Sequence, residues 1–142
     1  MNFVVAVKIT SLQRCVSRAR QIRAAAGEGF RSDHDRQDAC ILNVIRACET
    51  AIDLASMAVR ARYLGMPSET RELFALLERE QVIPADLGKR LRGMVGFRNL
   101  AVHQYREIDL DIVESVIREN LDDLLNFGQI AGRFLGAINP GD

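Results

Sequence analysis

The sequence predicts an all-α protein, an up-and-down helical bundle of four main helices plus one short helix, in a single domain over residues 1–142. Three observations carry that prediction. Apolar residues recur at alternating steps of three and four along most of the chain, the period of a helix with one buried face. Gly27 with Gly29, Gly65 with Pro67, Pro84, and Gly136 with Asn139-Pro140-Gly141 mark the breaks between these stretches. No run alternates polar and apolar residues as a half-buried strand would, and no repeat or low-complexity linker divides the chain. At 142 residues the chain is large enough to bury about two-thirds of its unfolded surface in one core.

Val5, Ile9, Leu12, Val16 and Ala19 mark the first helix, which should end near Gly27 and Gly29. Ile41, Ile45, Cys48, Ile52, Ala55 and Val59 mark a long second helix. Asp33, Asp35 or Asp38 supplies its acidic first turn, where carboxylates suit the helix dipole. It should stop before Gly65 and Pro67. Ser68 is placed to cap a short third helix, with Glu69 in its first turn and Leu73, Phe74, Leu76 and Leu77 on its apolar face. Pro84 opens the fourth, whose stripe runs Leu87, Leu91, Met94. Asp111 and Glu114 have the spacing of a capping box for the last helix. That helix carries Val113, Ile117, Leu121 and Leu124 through to Phe134, and Gly136 with Asn139-Pro140-Gly141 ends it.

Composition narrows the function classes. The apolar and charged fractions, 48% and 27%, are ordinary for a globular protein. Net charge is zero, so overall charge decides nothing about a nucleic-acid partner. Its distribution is uneven: residues 1–31 balance at +5 and residues 107–142 at −6. Either the first and last helices lie together and neutralise each other, or the first is a basic face for RNA or a partner. Cys15, Cys40 and Cys48 are odd in number with no C-x-x-C spacing, as expected of buried thiols in a reducing cytoplasm. No signal peptide or membrane span is expected, which points to a cytoplasmic protein. There is no Gly-rich phosphate loop and no clustered metal-ligand set, so neither a cofactor nor a metal is expected. His34, among Asp33, Asp35 and Arg36, reads as a solvated residue at a helix start.

The stretch Phe97 to Tyr105 is different. Arg98 falls where the Leu87–Leu91–Met94 stripe calls for an apolar residue, and a guanidinium aimed at a core must be paired or must face a site. From Leu87 to Arg106 the chain holds Lys89, Arg90, Arg92, Arg98 and Arg106 and no acid, a surface suited to phosphate and here to RNA. Arg98 can grip a phosphate through two hydrogen bonds. His103 can move a proton near neutral pH. Together they suffice for cleavage of RNA by its own 2′-hydroxyl, without a metal. On a continuous helix, however, the two side chains would stand roughly 140° apart. Their convergence requires the helix to break after Leu100, which would make His103 and Tyr105 an extended i, i+2 pair, or a second subunit supplying one partner. The residues alone equally allow Arg98 to pair with a helix carboxylate and His103 to tie off carbonyls at a helix end.

Arg98-Asn99 with His103 and Tyr105, preceded by Met94-Val95-Gly96-Phe97, resembles the R-N-x-x-x-H-x-Y signature of the HEPN superfamily and, within it, the HepT-like toxin family. The resemblance extends to Ala47-Cys48-Glu49 through Asp53, to Ile83-Pro84, and to Glu119-Asn120-Leu121-Asp122-Asp123. It implies a homodimer whose facing motifs form a composite cleft, and a metal-independent endoribonuclease that is the toxin of a toxin–antitoxin pair. By that resemblance Arg98 and His103 are the catalytic pair and Asn99 orients them. Tyr105 corresponds to the tyrosine that a cognate nucleotidyltransferase antitoxin of the MntA type modifies with AMP. Two other readings compete: a non-catalytic HEPN module that binds a nucleotide or partners the transferase, and a structural dimeric bundle with Arg98 in a buried salt bridge.

Overall fold

The computed structural model describes residues 2–137. Helices α1 (Phe3–Ala26), α2 (His34–Ala61), α3 (Thr70–Arg79), α4 (Ala85–His103), α5 (Leu110–Ser115) and α6 (Leu121–Phe134) build an all-α bundle. The long α2 is its axis, packed against α1, α3, α4 and α6. Its buried stripe includes Ile41, Val44, Cys48, Leu54 and Val59. Phe74 of α3 and Phe127 of α6 meet edge to face at 5.2 Å in the core, the arrangement aromatic quadrupoles favour.

The helix starts follow capping chemistry, with two shifts from expectation. Asn2 accepts from the Val5 N–H at 3.2 Å, and Asp33 from the Arg36 N–H at 3.1 Å, each satisfying an otherwise orphan donor. Ser68 is not the cap of α3. Glu69 holds that place without a side-chain bond, and the Glu72 carboxylate reaches back to the Ser68 N–H and hydroxyl, both at 2.6 Å. The positive end of the helix favours this carboxylate in the first turn. Likewise Asp111 and Glu114 do not form a capping box. Asp109 caps α5, accepting from the Asp111 N–H at 2.8 Å, which frees Asp111 and Glu114 to hold Arg31.

Helix ends are equally specific. After α2 both Tyr63, at φ 54°, and Gly65, at φ 146°, take positive φ, and Leu64 donates back to the Val59 carbonyl at 3.0 Å. Gly136, at φ 75°, closes α6 as Ala137 donates to Gly132 at 2.8 Å, the left-handed stop glycine supplies. Asn139-Pro140-Gly141 lies outside the described residues.

The expected single last helix is interrupted. Between α5 and α6, residues Val116–Asn120 form a π turn. Its cause is legible in the spacing: Val113, Ile117 and Leu121 step by four twice running, which drifts an α-helical stripe by roughly 80°. The wider π turn absorbs that drift, and all three side chains remain buried.

The uneven charge is largely settled by packing. Arg20 pairs with Asp122 at 2.7 Å and Arg23 with Glu114 at 2.6 Å, while Arg31 takes Glu114 at 2.8 Å. The basic beginning of the chain therefore neutralises its acidic end, as the first of the two readings has it.

Candidate functional site

The motif occupies the last turns of α4. This helix does not break after Leu100; it runs unbroken to His103, and Gln104 then donates to the Leu100 carbonyl at 2.8 Å. No Gly or Pro stands between Phe97 and Tyr105 to stop it earlier, and a histidine in the last turn suits the negative end of the dipole. The extended His103–Tyr105 pair is likewise absent, because Tyr105 opens a 3-10 turn, Tyr105–Glu107. Within one chain Arg98 and His103 thus leave the helix on different faces.

Arg98 is half-buried, and among the described residues no carboxylate pairs with it. Its Nη1 donates to Oδ1 of Asn99 at 2.9 Å. Its Nε is buried without a partner. The bland alternative, a guanidinium locked to an acid in the interior, does not hold. Arg98 faces α2 near Cys48, where burial pushes the thiol up to about 12 against the opposing pull of the Arg98 charge. His103 is exposed beyond it.

Tyr105 sits at the start of the 3-10 turn, 37% exposed. Its hydroxyl donates to the carboxylate of Asp38, in the second turn of α2. Partial burial, and then Asp38, hold the phenol above the ordinary tyrosine range. Asp38 was visible in the sequence only as a helix-start acid. Nothing in the spacing reveals that α2 and α4 bring it to Tyr105, 67 positions away.

The four other basic residues singled out in the sequence do not share one surface role. Arg90 is held by Asp123 at 3.1 Å and Asp86 at 3.4 Å, and Arg92 by Glu78 at 2.5 Å. Asp123 is a buried acid, and Asn120 of the π turn also donates to it, at 3.2 Å. Their charges are therefore spent in binding α4 to its neighbours. Lys89 and Arg106 are exposed and make no ion pair among the described residues. Lys89 lies fourteen residues before His103, about 21 Å along the helix.

Val102 and Tyr105 of the motif leave apolar surface exposed, as does Leu42 one turn after Asp38 on α2; Leu42 and Val102 are 46% and 47% exposed. Among the described residues no group of three or more His, Cys, Asp or Glu could hold a metal ion. No helix there is long and apolar enough to cross a membrane.

A family model described as ribonuclease HepT-like matches residues 12–129. The chain belongs to the HepT-like family. A HepT-like relative from Shewanella oneidensis, an mRNA nuclease HepT, is 40% identical over 127 residues, covering 89% of this chain and 95% of that protein. A solved tri-AMPylated HEPN toxin of Shewanella oneidensis, in complex with an MNT antitoxin, superposes with a TM-score of 0.85 at 38% identity. That match covers 92% of this chain and 97% of that one. A toxin–antitoxin structure with AMP-PNP gives a TM-score of 0.84 at 38% identity, covering 91% and 97%.

Proposed function

We propose that this HepT-like chain is an endoribonuclease toxin, silenced when a nucleotidyltransferase antitoxin of the MntA type attaches AMP to Tyr105. The observation that carries the reading is Arg98: a half-buried guanidinium near a helix end, bonded to Asn99, with no acid among the described residues to neutralise it. Such a group is costly to keep unless an anion arrives to use it. The family membership and the mRNA nuclease relative support RNA as that anion.

In the proposed reaction His103 takes the proton of a ribose 2′-hydroxyl, or returns one to the leaving 5′-oxygen. Arg98 stabilises the charge that grows on the phosphate. This chemistry needs no metal and spares DNA, which lacks the hydroxyl. The unbroken helix sets the condition. Since one α4 turns Arg98 and His103 apart, a second copy supplies the missing partner, and exposed Val102 in the motif and Leu42 on α2 provide apolar surface for it to cover. Lys89 and Arg106 extend the RNA grip. AMP on Tyr105 places negative charge and bulk where substrate phosphate would lie.

The test is cleavage of a labelled RNA, and growth on expression, for wild type, Arg98→Ala and His103→Ala. Each substitution is expected to abolish both effects while the oligomer stays folded. Equal toxicity of all three proteins would reject the catalytic reading in favour of a non-catalytic partner of the transferase.

A further inference from the structure

Asp38 and Tyr105 meet where the start of α2 passes the end of α4. Both are exposed residues, and a surface contact of this kind contributes little to folding. Its chemistry is more telling. A hydroxyl in direct contact with a carboxylate is the arrangement of an acceptor whose proton has somewhere to go. Among the described residues the Asp38 carboxylate is the hydrogen-bond partner of that oxygen.

Resting on the reading that Tyr105 receives AMP, we propose that Asp38 is the general base of that modification, supplied by the target rather than by the transferase. The Tyr105 oxygen forms a bond to the α-phosphorus of the ATP that the transferase presents. The bond from that phosphorus to the bridging oxygen breaks, and pyrophosphate leaves with the electron pair. The phenolic proton passes to Asp38 and from there to solvent. A carboxylate accepting the proton of a hydroxyl nucleophile is an established means of transfer to phosphorus.

The geometry also explains why a base is needed. Burial and the Asp38 charge hold the phenol protonated at neutral pH, so a free phenolate does not supply the nucleophile. The same contact that keeps the proton in the resting state offers it an acceptor as the oxygen attacks. The charged groups of the adjoining segments are His34, Asp35 and Arg36 before Asp38 in the chain, and His103, Arg106 and Glu107 on either side of Tyr105. Arg31 with Asp111 and Glu114 lies where the turn before α2 meets α5. None of these hydrogen-bonds to the Tyr105 oxygen.

The experiment mixes the purified chain, its nucleotidyltransferase and ATP, and follows AMP addition by intact mass between about pH 6 and 9. Wild type is compared with Asp38→Asn, Asp38→Ala and Tyr105→Phe, each checked by thermal melting. Asp38→Asn keeps an acceptor oxygen but cannot take the proton. It is expected to slow at least about tenfold at neutral pH and to recover as rising pH ionises the phenol, while wild type stays nearly flat. Asp38→Asn at the wild-type rate at every pH overturns the assignment. So does a deficit that does not ease with pH, which marks a docking contact. Wild type that gains no AMP, or Tyr105→Phe that gains as much, overturns the modification reading itself.

Discussion

Arg98 gives its hydrogen bond to Asn99, the next residue in the chain, at 2.9 Å, and not to a carboxylate. The pairing fixes the plane of the guanidinium while leaving its charge unspent. Removing the Asn99 amide should therefore loosen Arg98 without removing it. Asn99→Ala is expected to lower RNA cleavage by about tenfold, and Arg98→Ala by about a hundredfold or more. Cleavage of a fluorogenic RNA by folded protein checks both. Asn99→Ala at full activity would leave Arg98 oriented by something else.

The divergence of Arg98 and His103 along α4 makes a second prediction. If each cleft takes its arginine from one protomer and its histidine from the other, inactive Arg98→Ala and His103→Ala proteins should rescue each other. Random mixing yields half mixed dimers, each with one intact cleft, so about a quarter of wild-type activity should return. No recovery after verified exchange would overturn the pairing across subunits.

Glu114 anchors the start of the chain to α5 through Arg31 and Arg23. The Arg31 hydrogen bond, and then Arg23, hold its carboxyl below the usual range. A depressed folded-state pKa means that the stabilisation is present above the ordinary carboxylate value and is lost as pH falls through the folded one. Glu114→Gln should cost about 1 kcal/mol or less at neutral pH, with the difference vanishing in acid. Thermal midpoints across pH test this, and a constant gap would refute it.

The thiols are predicted to be inert. Burial pushes Cys40 up to about 11 and Cys48 up to about 12, and the thiolate is the reactive form. A chromogenic disulfide reagent at mildly alkaline pH should label neither residue in the native protein and both after unfolding. Rapid native labelling of Cys48 would show that the Arg98 face of α2 opens to solvent.

Phe74 and Phe127 hold α3 against α6. Phe74→Ala should destabilise by about 3–5 kcal/mol, read as a lower denaturant midpoint. A loss under 1 kcal/mol would mean that the core closes over the gap.

Much of the architecture was legible because helical period is local. Val5 through Ala19 and Ile41 through Val59 announce α1 and α2 without reference to any partner, and all but the half-buried Ile45 and Ile52 are buried as the stripe requires. Caps were less legible. Ser68, Glu69 and Asp111 each carry a side chain able to cap, and the choice among neighbours depends on what else those groups can reach. Asp111 goes to Arg31, 80 positions away. The basic run on α4 was only partly legible for the same reason, since Arg90 and Arg92 look free until Asp123 and Glu78 arrive beside them.

The sequence by itself determined the helices, their buried faces and the Arg98–His103–Tyr105 spacing, because period, propensity and motif are properties of neighbouring residues. Only the tertiary structure decided which charges remain available. It left Arg98 without an acid among the described residues, paired Arg90 and Arg92 with neighbouring acids, and brought Asp38 to Tyr105. Electrostatic partners are chosen by distance in space, and the chain crosses that distance only when it folds.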